Sequence, residues 1–495
     1  MQKRPKTTSR TGKKAASPIE AKVPSREVVE GGEITNLAQA LEFLNSRTNV
    51  EAMRPERVEH ARVFNLDRMR ALMKALGDPQ NSIPCIHVAG SKGKGSVCEM
   101  LASILKACGF GVGLYTSPHL TTIRERIRFN NTNIAEPEFV AMLKRVSRAA
   151  SELDQSLGEA TTFELLTAMA FLHFAELAVD FAVIETGMGG EFDATNIITP
   201  VASVITAIQL EHTLILGPTL DRIATHKAGI IKPGVPIYTV EQKPDAMNVI
   251  QAVAGKVGAP LHVLGRAPLE FSSRMEGVGS RAVMSKICLT GARGQFEHIS
   301  VPYMGEHQAA NCALALCVVD RLRQLGNDLP DGAIAEGLQA TPLNGRVQRI
   351  SDKPAIFVDG AHNPESVSAA IRSVASHMQS ESLIVIFGCA ADKDCRGMIQ
   401  SISQCADKVF FTRSRGERAA EPAELLRKYR EVRSGAPSNA APSVRDALAM
   451  ARSVVGRGDT ILVTGSFAIA GEAKKILSAE QVIREVKPGT RVARK

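Results

Sequence analysis

Tryptophan is absent and tyrosine occurs four times in 495 residues, leaving aromatic side chains at 4% of the chain. That scarcity argues against an RNA-binding module, which needs exposed aromatics for base stacking. No segment approaches the ~20 consecutive apolar residues of a helical membrane span. No CxxC pair occurs among the nine cysteines, which are scattered from Cys85 to Cys405. An odd, unpatterned set predicts reduced and mostly buried thiols in a cytoplasmic protein, with neither a zinc site nor a redox site. The first residues, MQKRPKTTSRTGKKAASP, are basic without an apolar stretch, so no secretory signal is expected.

Charge is in modest positive excess and is unevenly placed. The net is +9, yet residues 1–26 carry eight basic groups against one acid, and residues 484–495 carry five against one. What lies between is close to neutral. The spacing predicts basic, disordered tails at 1–33 and 484–495 around a neutral body, with no membrane or specific nucleic-acid partner. At 44% apolar and 22% charged, the chain has material for two or three folded domains.

Short apolar runs alternate with helical periodicity through most of the body. IPCIHVAG, FAVIETG, VASVITAI and PIYTV read as buried strands, and VCEMLASILKACG and TFELLTAMAFLHFAELA read as helices between them. Residues 264–305 break the rhythm around GARG and predict antiparallel hairpins at an edge. PAIFVDG, SLIVIFG, KVFFTRS and TILVTGS begin a second alternating set after a polar seam, ATPLNGRVQRISDKP. The expectation is an α/β chain with two parallel-sheet domains. Its ligands should bind at the carboxyl ends of the strands, in the cleft between domains.

One segment carries chemistry by itself. Gly90-Ser91-Lys92-Gly93-Lys94-Gly95-Ser96 follows an apolar strand and opens a helix. Glycines there let backbone N–H groups approach phosphate oxygens, and the helix N-terminus adds partial positive charge. Lys94 would neutralise the β- and γ-phosphates and Ser96 would face a magnesium shell. Gly95 intervenes between them, where the usual phosphate loop has Ser or Thr directly after the lysine. The alternative is a flexible Gly/Ser turn with solvated lysines.

VAGSKGKGS in this variant form resembles the ATP loop of the Mur ligase superfamily, and most of all that of folylpolyglutamate synthase/dihydrofolate synthase. Further segments resemble the same enzymes in the same order: YTSPHL (115–120), TTFELLTA (161–168), IETGMGGEFDATN (184–196), QLEHTLILG (209–217), HKAGIIKPG (226–234), GEHQAANCALA (305–315), NGRVQ (344–348), VDGAHNP (358–364) and VTGSF (463–467). The resemblance spans about 35–475. It implies an N-terminal P-loop ATP-binding domain of Mur-ligase type at 34–340, a linker at 341–353, and a smaller Rossmann-like glutamate-ligase domain at 354–483.

The resemblance also implies a reaction. ATP converts a carboxylate to an acyl phosphate, the amino group of L-glutamate attacks, and phosphate leaves. The acceptor would be dihydropteroate, a reduced folate, or both, and the enzyme a cytoplasmic monomer. Gly90, Gly93, Lys94, Gly95 and Ser96 match the nucleotide loop, with Asn311 at the adenine end and Arg346 reaching the phosphates from the linker. Asp359 and His362 match residues facing the nucleotide from the second domain. Ser117, Glu185 and His212 match magnesium ligands. Lys94, Lys227 and His362 are the catalytic candidates. Lys227 matches a lysine the family carries as a carbamate, and an unmodified phosphate-pairing lysine is the alternative. Phe163 lies where a pterin would stack, although a Phe on such a helix also suits a core; Thr195 and Asn196 are left without a role.

Five positions depart from the family pattern: Lys92 for Asn, Glu191 for Arg, Glu211 for Asp, His226 for Glu and Asn344 for Pro. Glu191 is the departure expected to bear on the acceptor, because an unpaired carboxylate there would repel an anionic glutamyl tail. Two other readings compete with the folate ligase. One is a diverged Mur-family amide ligase for another carboxylate; the other is a nucleotide-dependent binding protein.

Overall fold

The computed structural model describes residues 34–50, 66–276, 284–291, 294–301, 305–377, 381–416 and 418–486. The two basic tails lie outside the described residues, except that 484–486 end the last helix.

Eight strands build the first sheet: β1 (Cys85–Ala89), β2 (Val112–Tyr115), β3 (Ile127–Phe129), β4 (Thr132–Asn133), β5 (Phe181–Glu185), β6 (Ala202–Ile205), β7 (Ile237–Thr239) and β8 (Leu261–Val263). Their order is β4-β3-β2-β5-β1-β6-β7-β8, parallel except for β3 and β4 at one edge. β1, β5 and β6 are buried along their whole length, as strands covered on both faces must be. The chain leaves β1 towards β2 on one side and later returns to β6 on the other. The carboxyl end of β1 is therefore the topological switch point, where a crevice opens.

The segment after β1 becomes the helix Lys94–Ala107, whose Val97, Leu101, Ile104 and Leu105 are fully buried. It packs against the helices Glu306–Gln324 and Asp331–Gln339. The hairpins expected at an edge form instead a separate antiparallel sheet of β9 (Phe271–Glu276), β10 (Met284–Thr290) and β11 (Gln295–Val301). Ile287, Leu289, Phe296 and Val301 from this sheet join the core around Lys94–Ala107 and Glu306–Gln324. That burial offers these strands more apolar contact than the exposed edge of a parallel sheet would.

The second sheet comprises β12 (Gln348–Asp352), β13 (Ala355–Val358), β14 (Leu383–Phe387), β15 (Lys408–Phe411), β16 (Ser438–Ala440) and β17 (Thr460–Thr464), in the order β12-β13-β17-β14-β15-β16. Within it β12 runs antiparallel to its neighbour and the other pairs are parallel. The α/β class with two largely parallel sheets is thus what the alternating pattern forms.

The two domains are keyed together by Leu120, which belongs to the first in sequence but to the second in packing. It is 8% exposed and lies in one apolar cluster with Ile356, Val358, Ile469 and Ala473. Gly471, on the helix Phe467–Val486, meets the Leu120 backbone so closely that a Cβ there would lie 1.8 Å from its carbonyl oxygen. Leu120 comes three residues after Ser117, so this joint also positions a candidate site loop.

Candidate active site

The phosphate loop is held by hydrogen bonds to the loop after β6. Ser91 N and Lys92 N both donate to Ala207 O, at 2.9 and 3.1 Å, and Ser91 Oγ donates to Gln209 O at 3.0 Å. Gly93 has φ +98°, a left-handed conformation that disfavours a side chain, and any Cβ would fall 2.3 Å from Asn311 Oδ1. Asn311 is in turn oriented by its own Nδ2, which donates to Gln308 Oε1 at 3.1 Å. The Asn311 amide therefore rests against the phosphate loop.

Basic groups from several elements converge on this loop. Lys94 Nζ and Lys227 Nζ both donate to Gly90 O, at 3.0 and 2.7 Å. Lys227 also donates to Glu211 Oε1 at 2.8 Å, and its side chain is only 1% exposed. The Arg346 guanidinium comes from the seam between domains to the start of the helix. A Cβ on Gly95 would lie 2.1 Å from Arg346 Nη2, so the guanidinium rests directly against this glycine. Two ammonium groups sharing one carbonyl oxygen are under-neutralised. Burial drives the Lys227 pKa down, against the pull of Glu211. Burial pushes the Glu211 carboxyl up, but Lys227 and Lys94 more than reverse this and hold it well below the usual range. The arrangement suits a polyanion.

Glu185, at the end of β5, faces the same place. Its Oε2 accepts from Ser117 N at 3.1 Å and lies 3.3 Å from the Cβ position of Gly95. Burial raises its pKa while Lys94 and Arg346 oppose the rise. His212 has φ +46° at the start of the short helix Thr213–Leu216, and burial lowers its pKa to about 4 against the attraction of Glu211. Among the described residues, no three His, Cys, Asp or Glu side chains converge on one metal-sized site. The structure thus joins Ser117 to Glu185 but does not assemble a full protein cage. A buried carboxylate such as Glu185 has the oxygen chemistry that magnesium prefers, since that ion keeps waters and shares its remaining positions with phosphate.

The second domain closes the site from the carboxyl edge of its own sheet. Beyond β13, His362 Nδ1 pairs with Gly360 O at 3.0 Å, and Nε2 faces Lys92 Nζ at 3.2 Å. With Nδ1 donating to the carbonyl, Nε2 is the acceptor for the Lys92 ammonium. Burial and then Lys92 hold His362 neutral, with a pKa of about 3. Burial lowers Lys92 to about 8. Asp359 is used differently. Its two carboxylate oxygens accept from Val347 N and Ala361 N, both at 2.8 Å, tying the linker to the turn that carries His362.

Beside the loop Ser117–Leu120 opens a cavity of about 830 Å³, with Phe163, Leu41, His119, Arg126 and Lys474 among its lining residues. Phe163 packs on Tyr115 with ring centroids 5.8 Å apart, and its neighbour Glu164 is structural. Glu164 caps the helix Thr162–Glu176 by accepting from Thr161 N at 2.8 Å, and it forms a buried ion pair with Arg68 at 3.0 Å. Thr195 hydrogen-bonds His87 at 2.8 Å and Asp193 at 2.6 Å, while Asn196 Nδ2 donates to Glu191 O and Gly229 O.

The five departures from the family pattern have local partners. Glu191 and His226, separate in sequence, lie 3.9 Å apart, so the acid at 191 is matched by a histidine where an acid was expected. Glu211 pairs with Lys227, Lys92 with His362, and Asn344 Nδ2 donates to Glu99 Oε1 at 3.3 Å. Sequence reasoning missed Lys393, whose charge acts on Lys92, His212 and His362 from the loop after β14. The Asp-Lys-Asp run at 392–394, following a strand and preceding a helix, was the available signal.

Comparison with known proteins agrees with this geometry. Residues 88–319 match the Mur ligase middle domain, and residues 345–467 match the Mur ligase glutamate ligase domain. The chain is 33% identical to the dihydrofolate synthase/folylpolyglutamate synthase of Bacillus subtilis, over 83% of this chain and 94% of that protein. Its fold is similar to Mycobacterium tuberculosis folylpolyglutamate synthase complexed with ADP, with TM-score 0.80, 32% identity, and 90% and 99% of the two chains covered. It is also similar to E. coli FolC in complex with DHPP and ADP, with TM-score 0.77, 28% identity, and 90% and 99% coverage. Two Mur-type domains, a shared fold and identity along most of the chain place this protein in the folylpolyglutamate synthase/dihydrofolate synthase family of ATP-dependent ligases.

Proposed function

We propose that the cleft binds ATP with magnesium and couples its cleavage to an amide bond between L-glutamate and a pterin-bearing carboxylic acid. The observation that carries this reading is the meeting of Lys94, Lys227 and Arg346 at Gly90–Gly95, close to a cavity lined by Phe163. The cations take the phosphates, and the cavity takes the pterin ring system.

Bound phosphate displaces Gly90 O as the partner of Lys94 and Lys227. Those ammonium groups and Arg346 then spread the charge that grows on the transferring phosphoryl group. The acceptor carboxylate oxygen attacks the γ-phosphorus and ADP leaves. The glutamate amine attacks the resulting acyl carbon and phosphate departs. Glu185, Ser117 and His212 would hold magnesium, which neutralises phosphate charge when bound. Lys227 acts here as an ammonium, with Glu211 supplying the anionic partner. Neutral His362 fixes Lys92 in the cleft, and Asp359 keeps the hinge and the His362 turn in register.

The test is incorporation of labelled glutamate with ATP and magnesium, offering dihydropteroate and tetrahydrofolate in separate tubes. Product in either tube supports the reading and tells which acceptor is used. No product in both, from protein that binds ATP, overturns the folate acceptor.

A further inference from the structure

Two thiols flank the loop that carries Lys393. Cys389 follows β14 by one intervening glycine, and Cys395 is the first residue of the helix Cys395–Ser403. Their sulfurs are 3.3 Å apart, and the residues are only 4% and 5% exposed. Among the described residues, Cys85, Cys98, Cys312 and Cys317 are also buried but pair with no other cysteine, and Cys405 is exposed without a partner thiol.

The five residues between the two thiols are tied at several points. Ala391 N donates to Arg418 O at 2.7 Å, Asp392 pairs with Arg418 at 2.7 Å, and Cys395 N donates to Lys393 O at 2.7 Å. At the far side, the first turn of the helix presses on the turn bearing His362: a Cβ on Gly397 would lie 2.6 Å from Pro364 Cγ. A change at Cys395 is thus transmitted both to Lys393 and to the nucleotide-facing turn.

We propose that Cys389 and Cys395 are a redox-modification site, closing to a reversible disulfide that draws the Lys393 loop out of its reduced geometry and slows the ligase. The sulfurs must close from 3.3 Å to about 2.05 Å, and the five-residue loop tethered between them is drawn along with that closure. Cys395 is the first nucleophile. The Cys389 thiol hydrogen-bonded to it holds its pKa below the usual range, and its place at a helix N-terminus favours the thiolate. Its sulfur takes one oxygen from hydrogen peroxide, giving a sulfenic acid and one water. The Cys389 sulfur then attacks that sulfur as its thiol gives up its proton, and the proton leaves with the sulfenic oxygen as a second water. Two thiols lose two hydrogens and peroxide is reduced to two waters. The coverage of both residues favours a small peroxide over a bulky disulfide reagent.

The experiment uses the full reduced chain, treated with stoichiometric hydrogen peroxide, alkylated, digested and weighed. The expected product is a Cys389–Cys395 crosslinked peptide two hydrogens lighter than its reduced form, with Cys405 still alkylated. Glutamate incorporation should fall at least threefold and return with dithiothreitol. Cys395→Ser should abolish both the crosslink and the peroxide sensitivity while keeping basal turnover, and Cys389→Ser serves the same purpose if the first variant folds poorly. Full alkylation of both thiols after peroxide overturns the site. A crosslink that leaves turnover unchanged overturns its link to the cleft. The mass measurement does not depend on which acceptor the enzyme uses.

Discussion

Lys92 Nζ stands 3.2 Å from His362 Nε2, and this contact joins the phosphate loop of one domain to the strand-end turn of the other. The imidazole is held neutral and the half-buried lysine feels the charge of Lys94, so the contact adds a cation beside the loop Gly90–Ser96.

The Lys92 ammonium titrates near physiological pH, because burial lowers its pKa to about 8. In the nucleotide-free enzyme its positive charge is present below that value and is lost as pH rises through it. The apparent KM for ATP should therefore climb above pH 8, by roughly tenfold if one charge-assisted phosphate contact is lost. Lys92→Arg keeps its charge and should flatten the profile. A wild-type KM that is level from pH 7 to 9.5 would remove Lys92 from the phosphate site.

The Arg346 guanidinium rests against Gly95 at the start of the helix Lys94–Ala107. Arg346→Ala should lower kcat/KM for ATP about 100-fold, the upper range for a charged hydrogen-bonding group. Circular dichroism should stay unchanged. Arg346→Lys retains the charge but not the planar fork, and should recover only part of the loss. Full recovery would show that charge alone matters.

Leu120 is the apolar key between domains. Leu120→Ala leaves a void in the second domain's core and should cost about 2–4 kcal/mol. Calorimetry should show one transition for the wild-type chain and two for the variant, because the loss falls on the joint. One undivided transition at the wild-type temperature would show that the domains are coupled elsewhere.

Glu191 and His226 form a contact that offsets the acid at 191 only when the imidazole is protonated. The carboxylate has a partner 3.9 Å away on the helix Leu220–Ala228. The single change Glu191→Arg sets a guanidinium against His226 and close in sequence to Phe192, and should destabilise. The double change Glu191→Arg with His226→Glu should recover ~0.5 kcal/mol of coupling, the scale of an exposed ion pair. Strict additivity in a thermal-denaturation cycle would show that the two side chains do not interact.

Much of this was legible in the linear chain because its physical cause is local. A buried parallel strand such as Cys85–Ala89 needs continuous apolar residues, and the turn after it needs glycine where the backbone becomes left-handed at Gly93. Alternating strands and helices of this kind leave few architectures open. Ten ordered segments then carried the resemblance to the folate ligases.

Other features depend on distances that sequence spacing does not encode. Asp359 sits in a motif that suggests nucleotide contact, yet one of its oxygens accepts from Ala361 N in its own turn and the other from Val347 N, which the seam brings near. Leu120 looks like part of the first domain and is buried in the second. Lys92 and His362 are 270 positions apart, and Glu191 meets His226 only because the helix Leu220–Ala228 returns to the loop after β5. The elements, the class of fold and the residues rich enough in chemistry to form a site follow from the order of side chains along the chain. Tertiary structure decided which charges face one another, because electrostatic partnership falls off over a few ångströms and is settled by packing.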